Sequence, residues 1–202
     1  MRIEKIQASK HKRGRILIFL ENDTCLKITE QELLEFGLRS GDDIDSENLR
    51  HLQEAAHISD VKGKAAELIG RRPLSRRDLE RKLREKGATE EEASDAAAWL
   101  EDIGALNDGD YAALLVRHYS AMGYGPARIR EKFYEKGVPR DLWDAALEEL
   151  PDSSGQIDLF LEKKLRDSVP DEKEQRRLTN ALRRRGFSWE EIRAAWNRRT
   201  AE

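Results

Sequence analysis

One phrase, written three times, constrains this chain more than any other feature. "DLERKLREKG" ends at Gly87, "RIREKFYEKG" at Gly137 and "LTNALRRRG" at Gly186, at spacings of 50 and 49 residues. A period of that length marks a repeated supersecondary unit. Four and eight residues before each glycine stand Leu83 and Leu79, Phe133 and Ile129, and Leu182 and Leu178, an apolar pair on one face of a helix. Apolar positions also return after it. They are Ala88, Val138 and Phe187 one residue on, Ala93, Trp143 and Ile192 six on, and Ala97, Leu147 and Trp196 ten on. A glycine at such a point supplies the left-handed conformation that ends a helix without a Cβ clash. The phrase is therefore a structural joint.

Local signals divide each unit into three helices. In the first, Ser59 is expected to open "DVKGKAAELIG", Ser75 with Asp78 caps "RRDLERKLREK", and Thr89 with Glu92 caps "EEEASDAAAWLEDI". In the second, Asp108 precedes "GDYAALLVRHYSAM", while Pro126 and Pro139 start "ARIREKFYEK" and "RDLWDAALEEL", where a missing N–H is tolerated. In the third, Pro170 breaks "QIDLFLEKKLRDS", "EKEQRRLTNALRRR" follows, and Ser188 with Glu191 caps "WEEIRAAWNRR". Three short helices cannot bury themselves fully, so neighbours must stack into an elongated, curved body.

The first stretch reads differently. "KIQAS", "RILIFLE" and "TCLKIT" are short, β-branched and separated by the turn-prone "KHKRG" and "END", which predicts a small antiparallel meander. Thr29 and Glu32 form a capping box opening "EQELLEF", which Gly37 closes, and Ser46 caps "ENLRHLQEAAH". So small a sheet needs helices over one face. The fold class is mainly α, with tandem three-helix repeats behind a small N-terminal β-meander plus helices. The expected division is 1–58 for the N-terminal α+β domain, then repeats over 59–106, 107–151 and 152–202.

Charge is patterned by sign. The chain is 38% charged with a formal net charge of −3. Between Arg71 and Lys86 lie eight cations (Arg71, Arg72, Arg76, Arg77, Arg81, Lys82, Arg84, Lys86) against three acids, whereas Ala88 to Asp110 holds eight acids and no Lys or Arg. The second unit repeats this more weakly, with Arg117, Arg128, Arg130, Lys132 and Lys136 before an acidic helix bearing Asp141, Asp144, Glu148 and Glu149. The third carries Arg176, Arg177, Arg183 and Arg184. One reading is of solvated faces with opposite charges paired between adjacent helices. The other is a positive stripe for an extended polyanion or an acidic groove. Aromatics are 6% of residues, and only Tyr111, Tyr119, Tyr124, Phe133 and Tyr134 are candidates to lie near the stripe, which gives little support to a base-stacking platform.

Signs of other classes are missing from the sequence. One cysteine, Cys25, excludes an internal disulfide framework and fits a reducing compartment; in a predicted strand it reads as a small buried residue. The four histidines show no metal-ligand spacing, and there is no HExxH, CxxC, nucleophile elbow or phosphate-binding loop. "NDGD" (Asn107 to Asp110) reads as a helix N-cap with acids favoured by the dipole, and "GYGP" (Gly123 to Pro126) as an interhelical turn. No apolar run is long enough to span a bilayer and "MRIEKIQASKHKRG" lacks a signal peptide's apolar region. The expectation is a cytoplasmic, non-enzymatic protein without cofactor.

The run "DGDYAALLVRHYSAMGYGPARIREKFYEKGV" (Asp108 to Val138) resembles the central signature of the RecX regulators. There an Asp-rich start and Tyr-Ala lead to an Arg, then a Gly-x-Gly-Pro turn, Arg-Ile and Leu-x-x-Lys-Gly. "SRRDLERKLREKG" (Ser75 to Gly87) is similar to the family's preceding element, and "LLEFGLRSGDDID" (Leu33 to Asp45) to an N-terminal segment of longer members. Asp108, Tyr111, Ala112, Arg117, Gly123, Gly125, Pro126, Arg128, Ile129, Lys136 and Gly137 match the signature. Gly109 stands where the family usually has an acid and Phe133 where Leu is usual. The resemblance implies tandem three-helix repeats and a monomer that modulates RecA, lying in the groove of the RecA–DNA filament and suppressing its growth, ATPase and strand exchange, with some affinity for single- or double-stranded DNA. Tyr111, Ile129 and Gly137 then read as packing or capping positions, and Arg117, Arg128 and Lys132 as residues that reach a partner. An autonomous DNA-binding protein and a plain helical scaffold are the other two readings.

Overall fold

The structure, a computed structural model, describes residues 1–12, 14–150, 152–166 and 169–200. Strands β1 (Ile3–Ala8), β2 (Arg15–Leu20) and β3 (Cys25–Thr29) form an antiparallel sheet in that order. Ile6 faces Ile18, and Ile18 faces Leu26 on the other side, so these side chains share one face of the sheet with Ile16 and Ile28. That face closes a core of Ile3, Ile18, Leu20, Ile28, Ile44, Leu52 and Ala56. Arg13, in the expected first turn, lies outside the described residues.

Helix α1 (Glu30–Glu35) opens on the expected capping box: Thr29 Oγ1 accepts the Glu32 N–H at 3.1 Å and Glu32 Oε2 accepts the Thr29 N–H at 2.6 Å. Helix α2 (Ser46–Arg71) departs from expectation twice. Its cap is Asp45, not Ser46; the Asn48 N–H bonds Asp45 Oδ1 at 2.8 Å and holds that carboxyl below the usual carboxylate range. Nor does a new helix open at Ser59, because α2 runs straight through it. No proline interrupts the stretch, and the Ser59 hydroxyl is used within the helix, donating to the Ala56 carbonyl at 3.2 Å and accepting from Arg15 Nη1 at 3.1 Å. Arg15 also bonds the Ser59 carbonyl at 3.0 Å and pairs with Asp60 at 3.7 Å. Burial raises the Asp60 carboxyl, but the bond and charge of Lys64, with Arg15, outweigh it and leave the group below its ordinary value. Cys25 is exposed, not buried. It opposes Phe19 and follows the phase of exposed Lys27, while Leu26 and Ile28 turn inward.

The remaining helices are α3 (Arg76–Glu85), α4 (Glu90–Asp102), α5 (Asp108–Ala121), α6 (Pro126–Lys136), α7 (Trp143–Leu147), α8 (Ser153–Leu165), α9 (Glu172–Arg184) and α10 (Trp189–Thr200). A 3₁₀ turn, Arg140–Leu142, replaces the start of the helix expected after Pro139. Asp167 and Ser168, expected to end α8, lie outside the described residues. Capping pairs stand where the sequence places them, at Ser75 with Asp78, Thr89 with Glu92 and Ser188 with Glu191.

The chain divides into two compact units: Met1–Arg71 with Glu80–Asp102, and Arg72–Leu79 with Ile103–Glu202. The second includes these cores among the described residues. One gathers Tyr111, Ala112, Leu115, Val116, Ile129, Phe133, Val138 and Ala146. The other gathers Ile157, Leu161, Leu165, Leu178, Leu182, Phe187, Ile192, Ala195 and Trp196. All six stripe residues before the repeated glycines are buried, each contributing about 1.5–3 kcal/mol over an exposed position. The glycines have φ of 93°, 73° and 92° at Gly87, Gly137 and Gly186. After each, the next N–H reaches back to the helix: Ala88 to Leu83 at 3.1 Å, Val138 to Phe133 at 3.0 Å and Phe187 to Leu182 at 3.3 Å. This Schellman closure pairs an apolar side chain before the glycine with one after it, and so accounts for two of the repeating apolar positions.

Candidate partner-binding surface

The ends of the repeated helices are tied to one another within the second unit. The Arg185 carbonyl, where α9 ends, accepts the Gly125 N–H at 2.7 Å, and the Gly186 carbonyl accepts the Ala127 N–H at 3.1 Å. Carbonyls at and just beyond the end of α9 thus satisfy orphan donors of α6. A Cβ on Gly186 would stand 2.3 Å from the Arg128 nitrogen, and one on Gly125 would stand 2.6 Å from the Gly186 oxygen. Arg185 locks the joint: Nη1 donates to the carbonyls of Met122 and Gly123 at 3.2 and 3.1 Å, and its guanidinium lies 4.9 Å from the Phe160 ring centre.

The other end of α6 is tied in turn. Ser75 Oγ, fully buried, donates to the Lys136 carbonyl at 2.6 Å while accepting the Asp78 N–H at 3.1 Å. The Arg76 N–H bonds Asp108 Oδ1 at 2.8 Å. Tyr111 is buried nearby; desolvation, then the charge of Asp78, raises its hydroxyl above the ordinary value.

Fourteen of the predicted cations fall into two groups. The first is held by carboxylates: Arg71 with Glu67, Arg81 with Glu85, Arg117 with Glu149 at 3.5 Å, Arg128 with Glu131, Arg130 with Asp144 at 3.3 Å, Lys132 with Glu135 at 2.6 Å, and Arg177 with Glu174 at 3.0 Å. The bond and charge of Glu131 raise the Arg128 guanidinium, and Lys132 holds Glu135 low. Arg117 and Arg130 reach residues of the acidic segment that follows, so part of the charge alternation is internal pairing. In the second group, Arg72, Arg77, Lys82, Arg84, Arg176, Arg183 and Arg184 form no ion pair among the described residues. Arg77 has a second role, since its stem lies 3.2 Å from where a Gly137 Cβ would be.

The signature residues are spread through this framework. Tyr111 and Ile129 are buried, Pro126 begins α6, Gly123 lends a carbonyl to Arg185, and Gly125, Arg128, Gly137 and Asp108 sit at joints. Of the aromatics expected near the stripe, Phe133 and Tyr111 are core residues, and Tyr119 and Tyr124 stack on each other with centres 5.8 Å apart; Tyr134 is exposed. Sequence reasoning missed Arg185 and the second bond of Ser75. Arg185 directly precedes the third repeated glycine, which was the one available signal. Among the described residues no helix is long and apolar enough to cross a membrane, and no cluster of three His, Cys, Asp or Glu could hold a metal.

The sequence model of RecX, second three-helix domain, matches residues 107–147, and that of RecX, third three-helix domain, matches residues 156–196. The regulatory protein RecX of Pseudomonas entomophila (strain L48) is 35% identical over 134 residues, covering 65% of this chain and 86% of that one. The chain belongs to the RecX family. The RecX of Pseudomonas fluorescens (strain SBW25) is 36% identical over 134 residues, with the same coverage, and that of Lactobacillus delbrueckii subsp. bulgaricus 28% identical over 151 residues, 74% of this chain and 55% of that one. Two solved structures share the fold. A crystal structure of regulatory protein RecX superposes with a TM-score of 0.74 at 23% identity, over 97% of this chain and 98% of that one. RecX from Lactobacillus salivarius gives 0.64 at 23% identity, over 70% and 95%. RecX proteins are regulators and not enzymes, and so is this chain.

Proposed function

We propose that this chain binds RecA filaments assembled on DNA and restrains them, slowing filament growth, ATP hydrolysis and strand exchange during recombination and repair. Family membership supports RecA as the partner. The observation that carries the reading is that Arg72, Arg77, Arg176, Arg183 and Arg184 form no ion pair among the described residues of a unit whose repeated helices are hydrogen-bonded end to end. Cations fixed to a braced frame suit a long, regular, acidic partner better than a flexible basic tail would. The protein acts as a cytoplasmic monomer without cofactor, organised as 1–58, 59–106, 107–151 and 152–202 with α2 carried across the first boundary.

The test is the single-strand-dependent ATPase of the cognate RecA, followed while this protein is titrated from far below to equal molar ratio. Inhibition well below equimolarity is the expected result, because one molecule on a polymer affects many subunits. No inhibition at any ratio would overturn the proposal. The same free guanidiniums also favour a second reading, direct binding to DNA phosphates. It predicts a steep fall of DNA affinity with salt in the absence of RecA.

A further inference from the structure

We propose that the groove between α9 and α10 binds single-stranded nucleic acid, stacking an unpaired base on Trp189 and holding the adjoining phosphates with Arg176 and Arg193. The groove encloses about 440 Å³. Its floor is rigid: Ile192 and Trp196 are 1% and 7% exposed, and Trp196 Nε1 donates to Thr179 Oγ1 at 3.0 Å. Trp189 lines the same groove yet is 54% exposed, an unusual position for a side chain that is strongly buried on average. Arg176 and Arg193 are exposed and form no ion pair among the described residues. Gln175, Asn180 and Asn197 add side-chain amides, and Glu172 is the single carboxylate of the lining.

This combination selects the occupant. An apolar peptide side chain would cover the indole but strip water from amides and guanidiniums without replacing their hydrogen bonds. An acidic peptide would satisfy the guanidiniums but offers no flat face whose edge both donates and accepts. A nucleotide supplies all three: a π face for Trp189, edge groups for the amides, and a phosphate for the cations. Every base has a π face, so binding is tolerant of sequence. The site needs no RecA; it shares Arg176 with the regulatory reading and rests on the second reading, direct DNA binding, to which it gives one specific groove, so the oligonucleotide test can fail while RecA inhibition persists.

The experiment uses the full chain and fluorescein-labelled 12-mers: oligo(dT), an abasic strand with the same phosphates, and a duplex. The parent is expected to bind oligo(dT) roughly ten-fold more tightly than the abasic strand, the scale of one base–aromatic stack. Trp189→Ala should erase that preference at unchanged helix content, and Trp189→Phe should restore most of it. Arg176→Gln with Arg193→Gln should weaken both strands and flatten the salt dependence of log K by about 1.4, as for two phosphates of a single strand. Three results would overturn the proposal: equal binding of oligo(dT) and the abasic strand by the parent, a base preference that survives Trp189→Ala, or a Trp189→Ala variant that loses RecA inhibition while keeping its affinity for oligo(dT), which would make the groove a protein-docking site.

Discussion

Gly87 and Gly186 close the same phrase with nearly the same backbone, at φ of 93° and 92°, yet they sit in opposite surroundings. A Cβ on Gly87 would meet nothing within 4 Å, while one on Gly186 would overlap the Arg128 backbone at 2.3 Å. One glycine serves conformation alone. The other serves conformation and the close approach of α6. Gly125 completes the comparison: its φ of −83° suits any residue, but a Cβ there would stand 2.6 Å from the Gly186 oxygen. The same letter therefore means three things at three positions, and repetition in the sequence does not imply repetition of role.

Alanine at each position separates the two roles. Gly186→Ala should lose most stability, about 2–5 kcal/mol, because left-handed strain and overpacking both apply. Gly125→Ala carries overpacking only, about 1–3 kcal/mol. Gly87→Ala carries strain only, about 1–2 kcal/mol. Urea unfolding of the three variants ranks them directly, and equal losses at Gly87 and Gly186 would break the comparison.

At the α6–α3 joint, Ser75→Ala leaves the Lys136 carbonyl without its donor and removes the α3 cap, a loss of about 1–3 kcal/mol. Ser75→Thr keeps the hydroxyl and should recover part of it in the same assay. A Ser75→Ala melting curve matching the parent would mean that neither the cap nor the bond to Lys136 adds stability.

The smallest effect belongs to the first unit. The Thr89 backbone N–H, followed by His57 at 2.8 Å, holds Glu92 below its ordinary 4.5. A depressed carboxyl adds stability that is present above pH 4.5 and lost as pH falls through the folded-state value. The melting temperatures of the parent and Glu92→Gln should converge on acidification below that point; a gap constant from pH 6 to pH 3 would contradict the assignment.

The repeat was legible because the closure that ends each middle helix is local. Leu83 and Ala88 stand only five positions apart, and the apolar pair around the glycine is written in the sequence. Its partners were not legible. Gly186 meets Arg128, and Ser75 meets Lys136, across long stretches of chain, and no pattern within either segment announces the other. Two misreadings had signals that argued against them. Cys25 alternates out of phase with Leu26 and Ile28, which already turns it outward in a sheet with one buried face. Ser59 reads as a helix start, although the apolar spacing of Leu52, Ala56, Val61 and Ala65 continues past it. The charge series was visible from residues alone, but which cations are held by carboxylates depends on rotamers and neighbouring helices. Trp189 was overlooked because it lies outside the stripe, on the far side of the third glycine.

The most direct measurement compares the parent with an Arg84→Gln, Arg183→Gln, Arg184→Gln variant in the single-strand-dependent RecA ATPase. All three side chains are exposed and form no ion pair among the described residues, so the variant should melt within about 0.5 kcal/mol of the parent. The account predicts inhibition by the parent well below equimolarity and a clear loss of potency in the variant at unchanged stability. Equal potency of the two proteins, or no inhibition by either, would contradict it.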